Sequence, residues 1–272
     1  MPLKIEVKDR VPTYPGRVVM TPVSGQTNTY DLRRADQPIS EGTPINKVLL
    51  DQKAYTLTES VTVYVSKSGS DSTGDGSSAK PFLTVQKAID SIPKNLGSYH
   101  AQIDIGAGTY NERALIDGFV GGRLTLGVAG RSVILRGVTI MSSSAVRLAI
   151  SNITYHADYA GTLLYIAYGS TVSIISALSV NASNTQNYGI ALEHGSLLDA
   201  GAVNVNVDNC GRAAVLSTLG SVAVFYSVSG SGNASYPLAA TYGGTLTYAS
   251  KTITGGAADY THSGGRIFTG GT

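Results

Sequence analysis

From Ala101 onwards, short runs of apolar and β-branched residues alternate with Gly, Ser, Asn and Thr. Runs of this kind favour strands, and the small polar residues between them favour turns. The pattern predicts ten strands: Ile103–Ile105, Leu124–Leu126, Val133–Leu135, Val146–Ile150, Leu163–Ile166, Val172–Ile175, Leu197–Leu198, Val203–Val207, Val222–Phe225 and Leu246–Tyr248.

One short phrase recurs along these strands, as YGST, HGSL, LGSV and GGTL. Its shared glycine is aligned at Gly169, Gly195, Gly220 and Gly244, a nearly constant step of about 25 residues that indicates a repeat architecture. No helical pattern recurs, a propeller blade needs about 40–45 residues, and the Leu/Asn ladder of leucine-rich repeats is absent. Three short strands per period predict the coils of a parallel β-helix, roughly seven of them after Ala101.

The region before the coils predicts a strand and a helix. Thr62–Val65 is β-branched and aromatic, and a Gly/Ser/Asp-rich loop follows it. The segment Pro81–Ile92 has mostly helical apolar spacing, with Pro93 and Gly97 at its end.

Residues 1–58 differ from the rest of the chain in composition, because 15 of the 38 charged residues and six of the nine prolines precede Val61. One helix is predicted at Thr43–Lys53, with Thr43 as N-cap and Pro44 at the first helical position. We expect residues 1–58 to form an extended attachment segment that is ordered against a partner, and residues 59–272 to form the β-helix domain.

Charge and cysteine content exclude several classes of function. The net charge of +2 and the 14% of charged residues do not predict a nucleic-acid-binding or membrane-binding surface. The single cysteine, Cys210, allows neither an intramolecular disulfide nor a multi-cysteine zinc site. No apolar run approaches a membrane span or a signal peptide, so we expect synthesis in a cytoplasm without a targeting signal.

The segment Gly69–Ile89, followed by Ile103–Glu112 with its phrase Gly108-Thr-Tyr-Asn-Glu112, resembles the N-terminal cap of pectate-lyase-like proteins. The resemblance implies an all-β fold, a right-handed parallel β-helix closed by a cap helix. It implies no particular chemistry, because this fold carries many functions.

A second resemblance is carried by Thr21–Asp36, Glu41–Lys47 and the closing Ser263–Gly270. These segments resemble tail and baseplate proteins of phages or prophages that infect Gram-positive hosts. The resemblance implies a virion component made in the bacterial cytoplasm, whose N-terminal segment attaches to other tail or baseplate proteins. It also implies a homotrimer and a host-surface glycan as receptor.

Asp71, Thr73, Asp75 and Gly76 match the first positions of a calcium loop, but Phe82 stands where a bidentate Glu is required. We interpret this stretch as a turn before the cap helix. No metal and no cofactor are predicted.

Catalysis would depend on the six carboxylates of the coils: Asp117, Asp158, Glu193, Asp199, Asp208 and Asp259. Glu193 with His194 is the best acid/base candidate, although the repeat places His194 at a stacked corner with Tyr168 and Leu219. Asp208 is expected on a different face from Glu193, and no carboxylate recurs at one-coil spacing. We therefore predict binding without cleavage. The alternative is a tailspike depolymerase, either a polysaccharide lyase or a glycoside hydrolase.

The chain contains 16 tyrosines and no tryptophan. They are too many to lie inside a narrow β-helix, so some are expected on the surface as a subunit interface or as glycan-binding platforms. The interface is favoured because the chain after Ala213 carries few charges. Arg212 and Arg147 are interpreted as solvated, with acidic glycans as the alternative partner. The candidate surface residues are Tyr165, Tyr168, Tyr188, Tyr226, Tyr242 and Tyr248.

Overall fold

The computed structural model describes residues 11–12, 18–22, 30–34, 38–40, 56–143, 145–154, 161–185 and 188–270. The chain divides into two compact units, Leu3–Ala54 and one that contains Tyr55–Thr272.

The smaller unit contains two antiparallel strand pairs. Strand β1 (Val11–Pro12) pairs with β4 (Pro38–Ser40), and β2 (Val18–Pro22) pairs with β3 (Tyr30–Arg34). The helix predicted at Thr43–Lys53 lies outside the described residues.

The larger unit is a right-handed parallel β-helix of about seven coils, as the sequence predicted. All pairings between its eighteen strands are parallel. The described residues contain one α-helix, α1 (Val85–Asp90). The strands are β5 (Val61–Val65), β6 (His100–Ile105), β7 (Gly108–Asp117), β8 (Arg123–Gly127), β9 (Val133–Met141), β10 (Val146–Ala149), β11 (Asn152–Thr154), β12 (Leu164–Ala167), β13 (Thr171–Ile174), β14 (Leu178–Thr185), β15 (Ile190–Leu192), β16 (Leu197–Cys210), β17 (Val215–Ser217), β18 (Val222–Asn233), β19 (Leu238–Thr241), β20 (Thr245–Gly255), β21 (Tyr260–His262) and β22 (Arg266–Thr269).

Each coil contributes to three parallel sheets. Sheet A contains β5, β6, β8, β10, β13, the first halves of β16, β18 and β20, and β22. Sheet B contains the first halves of β7 and β9, then β11, β14 and the second halves of β16, β18 and β20. Sheet C contains the second halves of β7 and β9, then β12, β15, β17, β19 and β21.

The core consists of apolar side chains that stack on their equivalents in neighbouring coils. In sheet A, Leu124 pairs with Val146, which pairs with Val172, then Leu198 and Ala223. All five are buried. Like side chains thus fill the interior at each coil step of roughly 4.8 Å.

Helix α1 closes the first coil, and a carboxylate from outside the helix holds its N-terminus. The Glu112 side chain accepts hydrogen bonds from the backbone N–H groups of Val85 (2.8 Å) and Gln86 (2.9 Å). The N-cap Thr84 accepts from the Lys87 N–H through its hydroxyl. Because the first N–H groups of a helix have no partner within it, these bonds satisfy donors that would otherwise be lost. The glutamate of the Gly108–Glu112 phrase is therefore a cap for the helix.

The repeated phrase forms one corner of the β-helix, which we call the left-handed corner. Its five turns pair a residue at φ of 46–56° with a glycine at 71–78°. They are Tyr168–Gly169, His194–Gly195, Leu219–Gly220, Tyr242–Gly243 and Ser263–Gly264.

The alignment of the last repeat predicted from the sequence was wrong by one residue. Thr245 pairs with Val222, so Gly243 rather than Gly244 is the equivalent of Gly220. The spacing of the corner glycines therefore shortens towards the end of the chain. Gly244 instead takes the buried position held by Ser221 in the preceding coil, where an added Cβ would lie 2.1 Å from the Ser217 carbonyl oxygen.

Candidate functional site

A groove lies on the outer face of sheet C, over its last coils. Its volume is about 460 Å³. We call it the tyrosine groove. The described residues that line it are Tyr188, Arg212, Ala213, Leu216, Thr218, Ser235, Tyr236, Ala239, Thr241, Tyr242 and Tyr260.

The floor of the groove is formed by outward apolar residues of sheet C, where alanine alternates with a larger residue from coil to coil. Ala191 pairs with Leu216, which pairs with Ala239. With Ala213, these residues form a second buried apolar cluster, separate from the core, on which three tyrosines pack: Tyr165, Tyr188 and Tyr236. Bulky side chains in place of the lining residues Ala213 and Ala239 would fill part of this space, so the alanines contribute to the depression.

Aromatic side chains form the walls. The rings of Tyr236 and Tyr260 stack with centroids 4.7 Å apart. Tyr242 lies at the left-handed corner with 59% of its surface exposed. Its ring contacts that of His262 edge-on, with the ring centroids 6.0 Å apart. Hydroxyl groups lie among the rings, since Thr241 donates to Thr218 over 2.8 Å. The groove therefore offers aromatic faces and neutral hydrogen-bonding groups side by side.

Arg212 is the charged side chain among the described lining residues. Its guanidinium lies 5.7 Å from the ring centroid of Tyr188, and Nη1 donates to the Tyr188 hydroxyl over 3.3 Å. Both contacts hold the cation at the side of the groove.

Glu193 and His194, the predicted acid/base candidates, follow β15 at the edge of sheet C. The Glu193 carboxylate accepts a hydrogen bond from the Tyr165 hydroxyl over 2.8 Å and lies 3.8 Å from His194 Nδ1. Burial, with this hydrogen bond, raises the pKa of Tyr165 far above its usual range. The His194 ring stacks on Tyr168 with centroids 4.7 Å apart, in the stacked corner that the repeat predicted.

The other predicted carboxylate lies apart from Glu193. Asp208 lies in the sheet B part of β16, where its carboxylate accepts hydrogen bonds from Asn206 and from the backbone N–H of Ser231. Among the described residues, no group of three or more His, Cys, Asp or Glu side chains is placed to hold a metal ion.

The six predicted tyrosines do not all lie at one site. Tyr188 and Tyr242 line the groove, and Tyr165 packs on the apolar cluster at its floor. Tyr168 extends the aromatic surface along the left-handed corner, where it is 53% exposed. The remaining two lie elsewhere: Tyr226 follows the sheet A part of β18 and is 56% exposed, and Tyr248 packs against the main core from sheet A.

Sequence reasoning missed Tyr260 and left Tyr236 out of the candidate set. Tyr260 follows Tyr236 at close to the spacing of one coil, and this spacing was the available signal. Arg212 was interpreted as a solvated side chain, because nothing in the sequence shows that a tyrosine from the preceding coil lies beside it.

The stretch with partial calcium-loop spacing serves the cap helix. The Asp71 carboxylate accepts hydrogen bonds from the backbone N–H groups of Leu83 and Thr84 and from the Thr84 hydroxyl, at 2.7–3.0 Å. Asp75 accepts from the Ser77 N–H over 2.9 Å. These bonds agree with the interpretation of the stretch as a turn before the helix.

Comparison with known proteins finds no matching family model, no matching curated protein and no matching solved structure. In the part of the chain that the structure describes, no helix has the length and apolar character of a membrane span.

Proposed function

We propose that this protein is a tail fibre, tailspike or baseplate component of a phage or prophage of Gram-positive bacteria, and that the tyrosine groove binds a host-surface glycan. The virion assignment rests on the sequence resemblance of Thr21–Asp36, Glu41–Lys47 and Ser263–Gly270. In this proposal, residues 1–58 attach the protein to other tail proteins.

The observation that carries the glycan assignment is the composition of the groove. A sugar presents apolar C–H faces and hydroxyl groups in alternation, so it needs flat apolar surfaces next to neutral donors and acceptors. Tyr236, Tyr242 and Tyr260 supply the rings, and the hydroxyls of Thr218 and Thr241 supply the polar groups. Concave sites with aromatic walls and a few polar groups are typical of ligand-binding sites.

Matched tyrosine variants test the groove. We expect binding of the purified protein to surface polysaccharides isolated from Gram-positive bacteria, measured by calorimetry, to weaken about three- to tenfold in Tyr242→Ala. Tyr226→Ala is the control, because its ring is exposed to nearly the same extent (56% against 59%) but lies outside the groove. Equal losses in the two variants, or no binding by the wild-type protein, would contradict the proposal.

The virion assignment has its own test. Antibodies against the β-helix unit are expected to label the tails of phage particles from the producing bacterium in electron micrographs. Particles that carry no label, in a lysate that contains the protein, would refute this part of the proposal without affecting the groove.

A depolymerase remains the second candidate, with Glu193 as its catalytic group. The contact that favours it is the hydrogen bond between Glu193 and Tyr165 at the edge of the same sheet. Glycoside hydrolysis requires a second carboxylate about 5–9.5 Å away, and the described residues that line the groove include none. Oligosaccharides released from the polysaccharide by the wild-type protein but not by Glu193→Gln would establish the enzyme. We expect no release by either.

We also propose that the protein assembles as a homotrimer through sheet A. The outward residues of this sheet include Leu197, Val222, Val224 and Phe268, of which Leu197 and Phe268 are 38% and 47% exposed. Exposed apolar surface of this kind is typical of interfaces. Light scattering at micromolar concentration is expected to give three times the 28.2 kDa chain mass, and the mass of a single chain would exclude the trimer.

A further inference from the structure

The position of Arg212 narrows the kind of glycan that the groove would take. An arginine keeps its charge at all physiological pH values, so the groove carries a permanent positive charge at one side. Arg212 is exposed, and of its five N–H donors the described contacts use one, the bond to the Tyr188 hydroxyl.

No carboxylate among the described residues forms an ion pair with Arg212. Asp259, the acidic residue of the chain after Ala213, precedes Tyr260 and is paired with Lys251 over 2.5 Å. Glu193 is engaged by Tyr165 and His194. After Ala213 the chain carries three charged residues, Lys251, Asp259 and Arg266, so little else offsets the charge of Arg212 over this part of the surface.

We propose that the ligand of the tyrosine groove is an anionic glycan, and that the Arg212 guanidinium binds its carboxylate or phosphate group. This inference rests on the proposed glycan-binding function. The planar guanidinium can bind either anion through two parallel hydrogen bonds. The contact with the Tyr188 ring fixes the guanidinium before the ligand arrives, which reduces the entropy lost on binding. The tyrosine rings then hold the apolar faces of the sugar beside the charged group.

The test compares one polysaccharide in charged and uncharged forms. The probe is purified Gram-positive wall polysaccharide, used as isolated, after chemical reduction of its carboxylates, and after removal of its phosphate. We expect the wild-type protein to lose about tenfold in affinity for the form that lacks the recognised anion, the size of a charged hydrogen bond. Which of the two treatments has this effect distinguishes a carboxylate from a phosphate.

Arg212→Gln completes the comparison. It is expected to bind the isolated polysaccharide about tenfold more weakly than the wild type does. For the form that lacks the anion, the variant and the wild type are expected to have the same affinity. Lys80→Gln, which removes an exposed cation from the loop before helix α1, away from the groove and from sheet A, is the control for a general loss of positive charge. Raising the salt concentration should weaken wild-type binding more than Arg212→Gln binding.

The possible outcomes distinguish glycan binding by the groove from recognition of an anion by Arg212. If Arg212→Gln binds all forms as the wild type does while Tyr242→Ala still loses affinity, the groove binds glycans but the anion assignment is wrong. If Lys80→Gln loses as much affinity as Arg212→Gln, the effect is one of net charge and the Arg212 contact is refuted. If the wild-type protein binds no form of the polysaccharide, the proposed function fails and the anion assignment fails with it.

Discussion

Glu112 lies on β7 but determines the stability of helix α1, so its replacement is expected to loosen the helix rather than the strand. In Glu112→Ala, the N–H groups of Val85 and Gln86 lose the carboxylate that accepts their hydrogen bonds. Each hydrogen bond to a charged group contributes about 1.5–3 kcal/mol when the unpaired donor stays buried. Because Glu112 is half-exposed, water can replace part of the loss, and we expect a cost of about 2–4 kcal/mol.

Glu112→Gln gives a smaller expected cost, about 1–2 kcal/mol. The amide oxygen can still accept from one N–H group, but the amide nitrogen faces the other donor. The negative charge near the helix N-terminus, which contributes about 0.3–1 kcal/mol, is also lost. Glu59→Gln is the control, because it removes an exposed carboxylate from the same unit and is expected to change stability by less than about 0.5 kcal/mol.

The assay must separate local from global unfolding, because the coils of a β-helix contact mainly their neighbours and an end can open alone. Hydrogen exchange of the amides of Ala88 and Ile89 reports on the helix, and that of Val207 reports on the later coils. We expect Glu112→Ala to accelerate exchange in α1 and to leave Val207 unchanged. Exchange at Ala88 and Ile89 that matches the wild type would refute the capping role of Glu112.

Three further predictions concern stability and reactivity. Gly220→Ala is expected to cost about 1–2 kcal/mol, because only its φ of 74° opposes a side chain. Gly244→Ala should cost more, because its Cβ would lie 2.1 Å from a carbonyl oxygen; equal midpoints in urea would contradict this difference. For Asp71, partial burial favours a higher pKa, but hydrogen bonds from Thr84 and Leu83 outweigh it and hold the pKa below its usual value. Its carboxylate therefore contributes stability that is complete above the unfolded pKa of about 3.9 and is lost as the pH falls through the folded pKa; Asp71→Asn should flatten acid unfolding curves in that range. Burial raises the pKa of the Cys210 thiol to about 12, so iodoacetamide at mildly alkaline pH is expected to label it only after denaturation, as mass spectrometry would show.

The sequence predicted the β-helix because the corner glycines and the strands of sheet A have clear patterns. The helix begins later than expected, at Val85 instead of Pro81, because the Phe82 N–H bonds to the Tyr64 carbonyl oxygen and keeps that segment attached to β5. The two strands predicted at Leu197–Leu198 and Val203–Val207 are one strand, β16, whose pairing is irregular between Ala200 and Asn204.

Most strands of sheets B and C were not predicted. In sheet C, the lack of alternation between apolar and polar positions also concealed the candidate site. All three residues of β15 and of β17 are buried, because tyrosines cover the outer face, so apolar and polar positions do not alternate there. Small residues such as Ala191 and Ala239 on that face carry no sequence signal of a groove. Only the pairing register shows that they lie in one row of the sheet, which continues to Tyr260.

At the left-handed corner, the residues that determine the backbone conformation differ from those that determine the chemistry of the surface. Five successive turns keep one backbone conformation while the residue before the glycine changes among Tyr, His, Leu and Ser. The glycine takes one of the two left-handed positions of the turn, and the preceding residue takes the other without being β-branched in any of the five turns. Within that restriction, the preceding position can change its chemistry without altering the fold. The corner is thus a row of interchangeable display positions, spaced by roughly 4.8 Å, on which a new recognition surface can evolve or be engineered one residue at a time.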